Sequence, residues 1–275
     1  MFGCIMSKNK NSAIERVFKD LRENNQKAFI PFVTCGFPSL DSFFKIFEAL
    51  DKNGADIIEV GIPFSDPLAD GPVIQATSKI ALENGINTDI VFDSIAEIRR
   101  SSDTPIAIMT YFNTIYHYGV ERFLKKAKSA EVNGLIIPDL PLEEFTGYKS
   151  YFNRAGIDNI MFASLTSSKE RLSMIAEESR GFIYCISVKG VTGVRNSINP
   201  EVVNFLRNLK KITSLPLALG FGLSSREQIG QIKNYCDGII VGSKILSLIL
   251  EADSFEEGIK EVENFTSSIN NILKS

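Results

Sequence analysis

At 275 residues, 44% hydrophobic and 23% charged, the chain has the balance of an ordinary globular protein and the length to bury one large core, not the composition of a fibre or a disordered segment. Its 30 basic and 33 acidic residues leave a net charge of -3, so no electrostatic footprint for nucleic acid or a membrane surface is present. The four cysteines (Cys4, Cys35, Cys185, Cys236) lie far apart with no CxxC or Cys/His cluster, which argues against a zinc site and for a reducing compartment.

Residues 1–10 read as a flexible tail, without the apolar run of a signal peptide or anchor. A first helix is expected over Ala13–Asn24. An apolar run, Ala28–Val33, follows it. Leu40, Phe43, Phe44, Phe47 and Leu50 then recur at helical spacing. The same alternation continues down the chain. Further apolar runs are Asp56–Val60, Ile106–Tyr111, Gly134–Pro138, Asn159–Ala163, Phe182–Ser187, Pro216–Leu219 and Gly238–Val241, eight in all. They are nearly continuous in Ile, Val, Leu and Phe, the mark of strands covered on both faces, as in parallel sheets. Asn199-Pro200 supplies an N-cap with proline at the first helical position, and Ser167-x-x-Glu170 and Ser224-x-x-Glu227 read as capping boxes. A closing helix is expected over Phe255–Leu273. Eight strand–helix units predict an α/β fold, a (β/α)8 TIM barrel with extra N- and C-terminal helices. An open doubly wound sheet is the alternative. No linker or change of composition divides the chain, so residues 1–275 are expected to form a single domain.

In such a barrel the chemistry sits at the carboxyl ends of the strands. The second run ends in Glu59, set between Ile58 and Val60, and leads into a proline-stiffened loop that carries Asp66 and Asp70. The residues alone leave two readings. Burial would raise the pKa of Glu59 and suit it to act as a general acid; equally, Glu59 could join a buried ion pair while the aspartates make turn hydrogen bonds. Glycine-rich turns follow three consecutive strands: Gly190-Val191-Thr192-Gly193, Gly220-Phe221-Gly222 and Gly242-Ser243. Backbone N–H groups in such loops, with a helix N-terminus behind them, can cradle a phosphate. No cofactor-binding or metal-binding motif accompanies them. Lys189, near the end of the sixth run, offers a Schiff-base reading, but its loop position favours an exposed, protonated amine. The lone histidine, His117, reads as a surface or interface residue.

Glu59 to Pro72, together with Pro31-Phe32-Val33-Thr34-x-Gly36 and the three glycine turns, resembles the tryptophan synthase alpha chain family, in order, from about Phe29 to Leu250. The resemblance implies cleavage of indole-3-glycerol phosphate to indole and glyceraldehyde 3-phosphate. It implies Glu59 as acid/base, Asp70 at the indole nitrogen and Tyr184 near the reacting chain. Phe32, Met109, Tyr111, Ile136 and Phe162 are implied as the indole pocket, and Gly193, Phe221, Gly222, Gly242 and Ser243 as phosphate contacts. Thr192 is implied as a partner of Asp70 when loop 188–199 closes. Ser164-Leu165-Thr166 departs from the family's usual proline-containing turn. The resemblance further implies a pyridoxal-phosphate beta chain as partner in an α2β2 heterotetramer, met through Asp66, Pro67 and Asn113, with no cofactor in this chain. A free-standing lyase that releases indole is the alternative. The expected location is the cytoplasm, or the plastid stroma if the gene is organellar.

Overall fold

The computed structural model describes residues 11–186, 199–220, 222–223 and 225–275. The strands are β1 (Ala28–Thr34), β2 (Ile58–Gly61), β3 (Ile106–Met109), β4 (Gly134–Ile136), β5 (Asp158–Ile160), β6 (Phe162–Ser164), β7 (Ile183–Ile186), β8 (Leu217–Gly220) and β9 (Gly238–Val241). All are parallel, in the order β5-β4-β3-β2-β1-β9-β8-β7-β6. The outermost members, β5 and β6, are consecutive in the chain with only Met161 between them. The Met161 carbonyl accepts from the Tyr184 N–H at 3.0 Å. The wall thus closes through the chain itself, and the architecture is the expected TIM barrel with helices around it. The fifth expected run is one strand position broken in two.

Alternation along each strand sorts side chains between barrel interior and helix layer. Ala28, Ile30, Ile57, Ala107, Ile136, Ile160, Phe182, Tyr184, Ala218 and Ile240 fill the interior. Ile14, Phe18 and Leu21 of the helix Ala13–Glu23 join that cluster and close the barrel's lower end. Ser12 caps this helix with Glu15 in a capping box, and its hydroxyl also donates to buried Asp158. The neighbouring phase packs outward: Ile58, Val60, Ile106, Ile108, Leu135, Leu217 and Leu219 meet apolar helix faces such as Phe43, Phe47 and Leu50. At ~25 cal/mol per Å² of buried apolar surface, this two-sided burial is the main stabilising term.

Two of the expected caps shift by one residue. Ser168, not Ser167, caps the helix Lys169–Glu178, and Ser225 with Gln228 forms the box on Arg226–Ile232. Both sites hold adjacent serines, so pattern alone cannot choose between them. Ser168 is favoured because it places Leu172 and Ile175 on the buried face. Ser167 instead bonds within the Ser164 turn. Asn199 caps Pro200–Ile212 as expected, and the last helix runs Phe255–Lys274. Cys35, Cys185 and Cys236 are fully buried free thiols, and burial pushes Cys35 and Cys236 up to about 12. Cys4 lies outside the described residues.

Candidate active site

Ile57, just ahead of β2, points into the barrel interior, and the same phase turns Glu59 inward two residues nearer the carboxyl end. Glu59 is fully buried. Neither of its carboxylate oxygens has a hydrogen-bond partner among the described residues. A buried polar group left this way costs roughly 2 kcal/mol or more, so a purely structural role is a poor explanation for it. Desolvation, reinforced by the Asp70 charge, raises its pKa to about 8. Among the described residues no cation pairs with it, so the ion-pair reading left open by the sequence finds no partner there.

Asp70 ends the loop after β2, just ahead of the helix Pro72–Glu83. Its N–H donates to the Pro67 carbonyl at 3.0 Å and its own carbonyl accepts from the Gln75 amide at 2.8 Å, so the turn is fixed at both ends. Burial raises the Asp70 carboxyl to about 6, and a hydrogen bond from the Tyr111 hydroxyl opposes the rise. That hydroxyl also accepts the Ala69 N–H at 2.9 Å, and the Tyr111 ring stacks on Phe64 with centroids 5.0 Å apart. Tyr111 therefore braces the loop that presents Asp70. Tyr184, on β7, is buried; burial and then the nearby Glu59 and Asp70 charges drive its phenol well above the usual tyrosine range, so it stays neutral.

Glu59, Asp70, Phe32, Met109, Tyr184, Gly222, Gly242 and Ser243 line one cavity of about 330 Å³ at the strands' carboxyl ends. Phe32 stands beside Glu59 in register on β1. On the far side of β1, β9 leads through Gly242 into the helix Ser243–Leu250, whose first turn has no side-chain cap. Two strand spacings, ~10 Å, separate Glu59 from this helix start. Gly222 has φ +76°, a backbone conformation that glycine adopts without strain. The arrangement offers acid–base groups on one side, an apolar middle, and backbone donors on the other.

The other expected residues fall nearby or elsewhere. Phe162 packs on Tyr184 with centroids 4.7 Å apart and lines a neighbouring cavity of about 320 Å³. Ile136 is fully buried in the barrel interior and is not among the residues that line the cavity. Asp66 and Asn113 are exposed and Pro67 half-buried. His117 is exposed at the end of the helix Phe112–Tyr118. Thr192, Gly193, Phe221, Lys189 and nearly all of loop 188–199 lie outside the described residues. Sequence reasoning missed Ile74, Leu223, Ile240 and Lys244 as cavity residues. Ile240 could have been found from the inward phase it shares with Gly242, and Lys244 from its place one residue past Ser243.

A (β/α)8 barrel with two buried carboxyls in a cavity at its strands' carboxyl ends has the architecture of the TIM-barrel enzymes. The model of the tryptophan synthase alpha chain family matches residues 18–274. The chain belongs to that family and is a lyase that cleaves indole-3-glycerol phosphate. It is 44% identical over 260 residues to a tryptophan synthase alpha chain from Caldanaerobacter subterraneus, covering 94% of this chain and 99% of that one. It is 40% identical over 263 residues to the Arabidopsis thaliana alpha chain, covering 95% and 96%. The crystal structure of tryptophan synthase subunit alpha from Legionella pneumophila superposes with a TM-score of 0.89 at 32% identity, covering 96% and 99%. Among the described residues no helix is long and apolar enough to cross a membrane, and no group of potential metal ligands occurs.

Proposed function

We propose that Glu59 is the acid/base of the cleavage and Asp70 its electrostatic partner. The observation that carries this reading is the solitary Glu59 carboxyl, fully buried, without a hydrogen bond, and raised to about 8 in the cavity that also holds Asp70. Indole is a poor leaving carbanion, so C3 must be protonated before the bond to the glycerol chain breaks. Protonated Glu59 delivers that proton. Ionised Asp70 stabilises the positive charge that spreads to the ring N–H. Glu59, now a carboxylate, takes the proton of the adjacent hydroxyl. The C–C electron pair returns to the ring, and indole and the aldehyde separate. Tyr184, neutral throughout, borders the reacting chain.

Phe32 and Met109 supply apolar walls for the ring, with Phe162 behind Tyr184, Tyr111 bracing Asp70, and Ile136 buried in the barrel interior. Gly222, Gly242 and Ser243, with Gly193 and Phe221, bind the phosphate, and Thr192 meets Asp70 on closure. A tryptophan synthase alpha chain implies a beta chain partner. We assign α2β2 stoichiometry, with pyridoxal phosphate held by the beta chain, no cofactor in this one, and a cytoplasmic or stromal location. Leu68 and Tyr116, large apolar side chains 94% and 66% exposed, flank Asp66, Pro67 and Asn113; exposed apolar groups of this kind suit a docking face. The strand–helix repeat, unbroken by a linker, supports one domain.

The decisive experiment is indole release from indole-3-glycerol phosphate by the purified chain, with and without a beta chain, beside Glu59→Gln. The substitution is expected to lower kcat by about a thousandfold. Activity retained in Glu59→Gln would transfer the acid/base role elsewhere. Fast release without activation by a beta chain would favour the free-standing lyase. Protonated Glu59 and ionised Asp70 coexist between about 6 and about 8, so kcat/KM is expected to follow a bell over that window.

A further inference from the structure

We infer that Lys244 is the cation that pairs with the substrate's phosphate, an assignment that rests on the proposed function. Lys244 is the second residue of the helix Ser243–Leu250 and lines the same cavity as Glu59 and Asp70. Among the described residues of that cavity it is the single basic side chain, against two carboxyls. The helix start beside it has no side-chain cap, so its first N–H groups are available to an anion. No ion pair among the described residues uses the Lys244 ammonium.

Charge balance makes the pairing consequential. A phosphate monoester carries about two negative charges at neutral pH, and ionised Asp70 adds another. The helix N-terminus, equivalent to about half a positive charge, and the Ser243 hydroxyl can bind the phosphate but offset only part of that accumulation. Lys244, the single basic side chain among the cavity's described residues, supplies a full positive charge. Lys244 also borders a surface hollow with Glu251, Asp253, Glu257 and Glu261. These rim carboxylates compete weakly, since exposed pairs contribute little, whereas a dianion at a helix N-terminus holds the ammonium by a charge-assisted bond.

The test uses the full chain and Lys244→Gln, Lys244→Ala and Lys244→Arg. Gln and Ala are expected to raise KM for indole-3-glycerol phosphate about tenfold with kcat changed less than about twofold, and Arg to restore it. Titration with glycerol 3-phosphate should weaken equally in Gln and Ala, while affinity for indole stays unchanged. KM should climb with salt more steeply in the parent than in these two variants. Unaltered KM and glycerol 3-phosphate affinity would overturn the inference and place the ammonium over the acidic rim. Equal loss of indole affinity would also overturn it, by showing a deformed cavity. If the parent chain failed to cleave indole-3-glycerol phosphate, the proposed function would fall, yet the glycerol 3-phosphate titration would still decide Lys244.

Discussion

Glu59, set between Ile58 and Val60, faces the barrel interior and is buried without a hydrogen bond among the described residues. The same burial has a thermodynamic consequence. Because the folded pKa of Glu59 is raised from 4.5 to about 8, the native state holds a proton that the unfolded chain has released over that interval. Its contribution is fully present below about 4.5 and is lost as pH climbs through 8. Glu59→Gln, with no charge to bury, is therefore expected to gain stability relative to the parent as pH rises. Melting temperatures compared at pH 5 and pH 9 should show the difference moving in the variant's favour by several degrees. A pH-independent difference would mean that Glu59 is not raised.

At the scale of elements, glycine serves more than one purpose. The turn after β8 reads as a phosphate loop, yet Gly220 at the strand end has a different task. A Cβ there would stand 2.5 Å from the edge of the Tyr184 ring and 2.7 Å from its hydroxyl. That ring also packs against Phe162 and Phe182 with centroids at 4.7 and 6.4 Å, which limits its room to move aside. Gly220→Ala is expected to destabilise the protein by about 1–3 kcal/mol, as overpacked cores do, and to reduce kcat/KM about tenfold. Urea midpoints and indole release check the two effects; an alanine variant with both unchanged would show that Tyr184 has room to move. Helix caps and strand ends were misread by a residue or so for a plainer reason. Paired serines at 167–168 and 224–225 offer two registers, and the break at Met161 is set by the barrel's closure, which no local pattern encodes.

For the whole molecule, the order of strands follows from simple rules once eight two-sided strands are recognised, because each right-handed crossover leaves little choice of neighbour. Which apolar side chains remain uncovered is not legible that way. Leu68 sits in a loop that reads as a turn, and only coordinates reveal it 94% exposed. Leu68→Asp is expected to weaken beta chain binding by about tenfold or more, as loss of a buried apolar anchor does, while leaving the melting temperature in place. Calorimetric titration with a beta chain settles it: unchanged affinity would move the docking face away from this loop.

Among the described residues, the three buried thiols are shut away from alkylating reagents while the barrel is intact. Thiolate is the reactive form, and at Cys35 and Cys236 a pKa of about 12 suppresses it as firmly as burial blocks access. Each sulfur is consequently a silent witness that records only those moments when its surroundings come apart. Cys35 follows β1, Cys185 lies in β7 and Cys236 precedes β9, so two arcs of one wall carry their own clocks. Clocks that keep the same time describe a ring that opens everywhere at once; clocks that disagree mark where it parts first.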